Sequence, residues 1–164
     1  MTITKGNTIP DTPLMTMGKN GPEALSSTEV FKDKTVVLFA VPGAFTPTCS
    51  ADHLPGFINK ADDFKAAGVD TIACLSVNDA FVMDAWSKIS GAERILMLAD
   101  GNAAFTKAMG LTLDASGFGM GERSQRYAMI VKDGVVQDLF VEEPGAFTVS
   151  KAEHVLEALK APAA

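Results

Sequence analysis

The sequence contains few of the residues that usually carry chemistry. Among its 164 residues there are only two cysteines, two histidines, one tryptophan and one tyrosine. Two cysteines cannot supply the disulfide framework of a small secreted scaffold, nor the ligands of a four-thiolate zinc site. Acidic residues outnumber basic ones by 20 to 14, and the resulting net charge of −6 argues against a broad nucleic-acid-binding surface.

Long apolar segments are also missing. The longest run, Val36–Val41, is far shorter than the roughly 20 residues that a bilayer-spanning helix needs. Met1–Gly6 lacks the apolar core of a secretory signal. With few thiols and no such signal, we expect a cytoplasmic protein. The length predicts one domain, residues 1–164, because two domains would each have a marginal core.

Hydrophobic patterning predicts an alternation of strands and helices. Continuous apolar runs at Thr35–Val41 and Thr71–Val77 are typical of strands buried on both faces of a sheet. Between them, from Pro47 to Ala67, the apolar residues have helical spacing, and we expect Pro55 to kink or divide that helix. Near the C-terminus, Asp133-Gly134 predicts a β-hairpin.

The resulting element order is β-α-β-α-β-α-β-β-α, with parallel crossovers first and an antiparallel hairpin later. This α/β order predicts a thioredoxin-like fold, a mixed central sheet flanked by helices, with an N-terminal extension and an inserted β-α unit. The glycine-rich segment Gly110–Ser124 is predicted to be a loop. A fold of this kind does not by itself identify a function.

Cys49 is the first candidate for a reactive side chain. It follows Thr46-Pro47-Thr48, where we expect Thr46 to cap a helix and Pro47 to occupy the first helical position. Cys49 would then lie in the first turn, where unpaired backbone N–H groups and the helix dipole stabilise a thiolate, which is the nucleophilic form. The alternative is a small buried apolar side chain, a common role for free cysteine.

Other chemistries have little support in the sequence. The segment Cys49-Ser50-Ala51-Asp52 is not a Cys-x-x-Cys dithiol, and the glycines of Gly110–Gly121 do not form a phosphate-binding motif. His53 and His154 lack metal-ligand spacing, so we expect no metal and no bound cofactor. His53, four residues after Cys49, would act either as its base or as a polar contact at the entrance of the site.

The segment Pro42-Gly43-Ala44-Phe45-Thr46-Pro47-Thr48-Cys49 resembles the signature of the peroxiredoxins, Pro-x-x-x-Thr-x-x-Cys. Three further stretches are similar to the atypical type V, or plant type II, subfamily: His53–Phe57, Cys74–Met83 and Leu98–Gly101. The similarity extends from about Pro10 to the last predicted helix, which is nearly the whole chain.

The resemblance implies a thiol peroxidase that reduces hydrogen peroxide and small organic hydroperoxides. Cys49 would attack one peroxide oxygen and become a sulfenic acid. Thr46 would hydrogen-bond the thiolate and the bound peroxide, and Pro42 would shield the site. Arg126 would stabilise the thiolate and the charge that develops on the leaving oxygen. The residues alone do not favour Arg126 over Arg123.

The route by which the sulfenic acid is reduced depends on the second cysteine. Animal type V members carry a resolving cysteine in the region of Thr148–Ser150, where this chain has Val149. Cys74 lies inside a predicted strand, about 10 Å from its carboxyl end, so a disulfide with Cys49 would require the first helical turn to unwind. Some plant members are thought to form such a pair. We interpret Cys74 as a core residue and expect a one-cysteine enzyme reduced by glutathione with glutaredoxin, or by thioredoxin.

The resemblance also implies a homodimer whose interface lies beside the active site, and Phe45 and Phe81 would contribute to that interface. Two other functions stay open. One is a peroxide-sensing or chaperone-type interaction protein in which oxidation of Cys49 signals to a partner. The other is a catalytically silent thioredoxin-fold binding module, against which the presence of Thr46, Cys49 and Arg126 argues.

Overall fold

The computed structural model describes residues 2–160, so Met1 and residues 161–164 of the expected domain lie outside the described residues. The strands are β1 Met15–Gly18, β2 Gly21–Ala24, β3 Thr35–Val41, β4 Thr71–Ser76, β5 Leu96–Ala99, β6 Thr112–Asp114, β7 Glu122–Ser124, β8 Tyr127–Lys132 and β9 Val135–Val141. The helices are α1 Ser27–Phe31, α2 Leu54–Asn59, α3 Ala61–Ala66, α4 Ala80–Ser90, α5 Ala104–Met109 and α6 Ala152–Lys160. None of these helices is long and apolar enough to cross a bilayer.

Seven strands form one mixed sheet in the order β2-β1-β5-β4-β3-β8-β9. The three strands β3, β4 and β5 are parallel, whereas β8 runs antiparallel to β3 and β9 antiparallel to β8. Helices connect the parallel strands, as is usual for crossovers between parallel neighbours. The thioredoxin-like α/β prediction is therefore confirmed, while the extent of the domain over residues 1–164 stays a prediction.

Strand β3 is buried on both faces, as its apolar run predicts. Its side chains alternate between two hydrophobic clusters. Phe39 lies in the cluster that contains Phe57 and Trp86, and Leu38 lies in the cluster on the opposite face with Phe105. Each large side chain buried in this way contributes about 1.5–3 kcal/mol to the stability of the fold.

The helix predicted over Pro47–Ala67 is divided twice: at Pro55, as expected, where a π-helical segment gives way to α2, and again at Lys60. A π-helical segment, Cys49–His53, precedes α2, and Lys60, with φ −104° and ψ 12°, separates α2 from α3. Because Pro55 has no N–H to donate, a regular α-helix could not complete its hydrogen bonds there. The preceding turn is wide instead, and the N–H of Leu54 reaches the carbonyl of Cys49.

The segment Gly110–Ser124 contains more structure than the predicted loop. Strands β6 and β7 pair antiparallel in a small second sheet, and a 3₁₀ turn, Ser116–Phe118, lies between them. Strands of three residues are too short for their alternation of side chains to be visible in the sequence. The predicted hairpin between β8 and β9 is confirmed: Asp133 and Gly134 both have positive φ, 46° and 77°.

Candidate active site

The sheet brings three functional segments to one edge. In the parallel pair β3–β4, Val41 lies opposite Ser76, and in the antiparallel pair β3–β8, Ala40 lies opposite Tyr127. The end of β3 is therefore adjacent to the end of β4 and to the start of β8. Residues 42–49 follow β3 directly and Arg126 immediately precedes β8, at the edge where open α/β sheets place their sites.

Cys49 and Arg126 are in direct contact at this edge. The Cys49 side chain is fully buried, and Nη2 of Arg126 donates a hydrogen bond to its Sγ at 3.0 Å. The N–H of Ser50 donates to the carbonyl of Thr46 at 2.9 Å, which places Cys49 in the first helical turn as expected. The Arg126 guanidinium and the start of a helix therefore lie beside one sulfur, and both present positive charge to it.

Arg123, the alternative that the residues alone do not exclude, has a different role. Its Nε donates to the carbonyl of Met120 at 2.9 Å and its Nη1 to the carbonyl of Val77 at 3.2 Å. Arg123 therefore fastens the segment between β6 and β7 to the loop after β4. Among residues 2–160, only Arg126 donates a side-chain hydrogen bond to the sulfur of Cys49.

Thr46 does not cap the helix with its side chain, which corrects our expectation. Its Oγ1 donates to the carbonyl of Gly43 at 2.7 Å, because the chain turns back on itself between these residues. Gly43 is the tightest point of that turn: a Cβ built there would lie 3.1 Å from Met120 Cε and from Thr46 Cγ2. Within residues 2–160 no group donates to the Thr46 hydroxyl, so its lone pairs are able to accept while its proton is directed into the loop.

Asn78 holds the loop before Cys49, a role that sequence reasoning missed. Its Oδ1 accepts from the N–H of Ala44 at 3.0 Å and from the hydroxyl of Ser76 at 2.6 Å. Phe45, which follows Ala44 in this loop, has φ +66° and is 51% exposed. A left-handed conformation is unfavourable for phenylalanine, so neighbouring contacts such as this one must maintain it. An Asn two residues after a buried strand is the signal that could have indicated it.

His53 is neither the base of Cys49 nor a contact at the entrance, which corrects both expectations. It is fully buried, its Nδ1 accepts from Nη1 of Arg126 at 2.8 Å, and its Nε2 lies 3.0 Å from the carbonyl of Ser150. Burial, followed by the positive charge of Arg126, lowers the pKa of His53 from its ordinary 6.5 to about 3. The imidazole is therefore neutral in neutral solution.

Glu142 is a second site residue that the sequence did not indicate. It follows β9 and is buried, and its Oε2 accepts from the N–H groups of Thr148 and Ser150 at 2.8 Å each and from the Ser150 hydroxyl at 2.7 Å. Burial alone would raise the pKa of Glu142, but these hydrogen bonds outweigh it and hold the pKa below its ordinary value. Glu142 thus fixes the loop whose carbonyl binds His53.

Cys74 is buried in β4, opposite Phe39 of β3. Burial, together with the nearby charge of Cys49, raises the pKa of Cys74 well above its ordinary value, and Arg126 offsets this only in part. Cys74 is therefore a neutral thiol within the core. Among residues 2–160 there is no cluster of three His, Cys, Asp or Glu side chains able to bind a metal ion.

Comparisons with known proteins show which family the chain is similar to. The profile of the redoxin family matches residues 4–156. Peroxiredoxin-2E-2, chloroplastic, of Oryza sativa subsp. japonica is 51% identical over 164 aligned positions, which cover 96% of this chain and 73% of the relative. Reduced Prx3 of Vibrio vulnificus in complex with hydrogen peroxide is 58% identical, with a TM-score of 0.93 and coverage of 96% and 99%. The 1-Cys peroxiredoxin of Plasmodium falciparum is 32% identical, with a TM-score of 0.91 and the same coverage.

The neutral, buried His53 predicts an acid-sensitive component of stability. The unfolded chain takes up a proton near pH 6.5, whereas the folded chain does so only near pH 3, so stability is lost as the pH falls through this interval. Between about pH 7.5 and about pH 5, His53 should remove about 2 kcal/mol from the free energy of unfolding. Urea denaturation at both pH values measures the difference, and His53→Asn should lack this component. An equal loss in both proteins would contradict the assignment.

Proposed function

The chain belongs to the redoxin family and, within it, to the peroxiredoxins of the type V, or plant type II, kind, and we propose that Cys49 is the nucleophile of its thiol peroxidase activity. One observation carries the assignment to this residue: the 3.0 Å hydrogen bond from Arg126 Nη2 to Cys49 Sγ. A cation in contact with a buried sulfur stabilises the thiolate, and a thiolate is the form that attacks peroxides.

The reaction proposed for Cys49 forms an S–O bond and breaks the O–O bond. The thiolate attacks the hydroxyl oxygen of the hydroperoxide, and hydroxide or alkoxide departs and takes up a proton to become water or an alcohol. Sulfur is oxidised to the sulfenic acid and the peroxide is reduced. Arg126, which already donates to the sulfur, lies where it would also stabilise the negative charge on the departing oxygen.

Hydrogen peroxide and small organic hydroperoxides are the proposed substrates. The complete burial of Cys49 supports small substrates, since a bulky peroxide would have to displace much of the loop above the sulfur. In the proposed complex Thr46 uses its free lone pairs to accept from the peroxide, and Pro42 shields the site from water. The relative from Vibrio vulnificus that contains hydrogen peroxide supports the same substrate class here.

We propose that an external thiol completes the cycle. Glutathione attacks the sulfenic sulfur of Cys49, water leaves, and a mixed disulfide forms; glutaredoxin with a second glutathione then releases the Cys49 thiol and glutathione disulfide. The burial and raised pKa of Cys74 support this one-cysteine route, because a neutral thiol in a strand is a poor nucleophile. Thioredoxin is the alternative donor, and no bound cofactor is required.

We also propose that the protein forms a homodimer whose interface lies beside the site. Phe45 and Phe81 are large aromatic side chains with 51% and 65% of their surface exposed. Phe45 packs on Trp86 of α4, the helix that also carries Phe81, and Phe81 lines a groove of 350 Å³ together with Pro13 and Leu14. Exposed aromatic groups of this kind mark interaction surfaces.

The two free cysteines also suit the reducing cytoplasm, which is the proposed location.

Replacing the nucleophile tests the assignment of Cys49. Cys49→Ser should reduce the consumption of hydrogen peroxide with glutathione and glutaredoxin to the rate measured without enzyme, because a serine hydroxyl is not ionised near neutral pH. Cys74→Ser is the matched control and should keep multiple turnover. Unchanged activity in Cys49→Ser would overturn the assignment, and a wild-type protein that is oxidised once without turnover would favour the redox-sensing alternative instead.

The one-cysteine route predicts the mass of the oxidised protein. After one equivalent of hydrogen peroxide without reductant, the intact mass should rise by about 16 Da per added oxygen, and Cys74→Ser should give the same product. A loss of two hydrogens in the wild type that is absent from Cys74→Ser would show a Cys49–Cys74 disulfide and refute this route.

The proposed dimer predicts different effects for two exposed residues of α4. Phe81→Lys should weaken dimerisation by about tenfold or more, because it places a charge in an apolar interface. Ile89→Lys, at a site that is 78% exposed near the other end of the helix, should have no effect. Light scattering over a dilution series measures both. A monomeric wild type, or equal dissociation of both variants, would contradict the placement of the interface.

A further inference from the structure

His53 is a polar side chain in an apolar environment, and the proposed chemistry of Cys49 does not use it. The ring centroids of Phe39, Phe57 and Phe147 lie 4.9, 5.7 and 5.0 Å from that of the fully buried imidazole. Burying a polar ring in this way is unfavourable unless its nitrogens are hydrogen-bonded. Both are, one by Arg126 and the other by the Ser150 carbonyl.

These two partners determine the tautomer. A main-chain carbonyl only accepts, so Nε2 must carry the proton and donate to Ser150. A guanidinium only donates, so Nδ1 must present its lone pair to Nη1 of Arg126. The lowered pKa keeps the ring in this neutral state. With both nitrogens occupied, His53 has no proton and no lone pair left for Cys49 or for a peroxide.

His53 can therefore affect Cys49 only through its hydrogen bond with Arg126. One end of the guanidinium, Nη1, is fixed by His53 at 2.8 Å, while the other end, Nη2, donates to Cys49 at 3.0 Å. Because the guanidinium is planar and rigid, fixing one nitrogen orients the other. The ring of Phe147, 5.8 Å from Arg126 Cζ, covers its face.

The acceptor for Arg126, the His53 ring, is uncharged and therefore does not neutralise the guanidinium that it orients. Within residues 2–160 no carboxylate forms a salt bridge with Arg126. Glu142, the nearby buried carboxylate, instead accepts from Thr148 and Ser150 and so holds the carbonyl to which His53 donates. The positive charge of Arg126 is thus left for the sulfur rather than neutralised by an acid.

We propose that His53 is a positioning residue that holds the Arg126 guanidinium so that Nη2 is directed at Cys49 Sγ during peroxide reduction. This inference rests on the proposed peroxidase function of Cys49. It assigns His53 no proton transfer and no contact with the substrate.

Two amide substitutions separate the hydrogen bonds of His53. In His53→Asn the amide oxygen takes the place of Nδ1 and can accept from Arg126, while the donor to Ser150 is lost. In His53→Gln the longer amide reaches the place of Nε2 and keeps the donor to Ser150, while the acceptor for Arg126 is lost. Stopped-flow measurement of Cys49 oxidation by hydrogen peroxide should show a loss of about tenfold for His53→Gln. His53→Asn should stay within about threefold of the wild type.

A double-mutant cycle with Arg126→Lys distinguishes positioning from general structural support. If His53 acts through the guanidinium, His53→Gln should change the oxidation rate by less than about twofold once Arg126 is lysine. The same tenfold loss in both backgrounds, or a His53→Asn protein as slow as His53→Gln, would overturn the proposal. Far-UV circular dichroism and thermal midpoints establish that the variants are folded.

Nitrogen-15 NMR of the wild-type protein tests the proposal without any substitution. The His53 ring should be neutral and protonated at Nε2, with nitrogen shifts that are unchanged between about pH 5.5 and about pH 8. A ring that is protonated at Nδ1, or that titrates in this range, would overturn the positioning role. A wild-type protein that does not react with hydrogen peroxide would instead refute the proposed function, with the His53–Arg126 geometry unaffected.

Discussion

The hydrogen bond from Arg126 to Cys49 is the interaction on which the rest of the site depends. The two residues are 77 positions apart, and their 3.0 Å contact requires Ala40 of β3 to lie opposite Tyr127 of β8. A slip of one residue in that register would move Arg126 by about 3.4 Å and direct it to the other face of the sheet. The position of Arg126 relative to the Cys49 sulfur therefore depends on the register of two central strands, so the burial of these strands matters for the site as well as for stability.

The features that the sequence predicted are those with a local cause. Strand β3 has the predicted bounds and the hairpin between β8 and β9 forms where predicted, because burial and turn chemistry leave a pattern within a few residues. Cys49 lies in the first turn because Pro47 starts the helix. The partner of Cys49 has no such local signal, since Arg123 and Arg126 are equally basic and differ only in what the sheet brings near them. For the same reason the proton of Thr46, directed to Gly43, and the neutral state of His53 were not predictable.

The π-helical segment Cys49–His53 links reactivity to access. It carries both the sulfur and the imidazole that meet Arg126, and it precedes Pro55, which cannot donate a backbone hydrogen bond. Wide turns of this kind are less well bonded than an α-helix and often occur at functional sites. In the proposed cycle, a sulfenic acid at Cys49 has to become accessible before an external thiol can attack it. A wide turn, which is less well hydrogen-bonded than an α-helix, is easier to open than the sheet in which Cys74 is buried.

A neutral histidine orients an arginine without competing for its charge. A carboxylate beside Arg126 would add a Coulombic attraction of about 4 kcal/mol at 4 Å in a partly screened site, whereas a hydrogen bond from the charged guanidinium to a neutral acceptor contributes about 1.5–3 kcal/mol. With the stronger partner, the thiolate of Cys49 would have to share its cation; with His53 it does not. Burial keeps the imidazole neutral by lowering the pKa of His53 to about 3, so the folded protein binds a proton there more weakly than the unfolded chain does. The neutral state of His53 that leaves the charge of Arg126 to the Cys49 sulfur therefore also makes the folded protein less stable in acid.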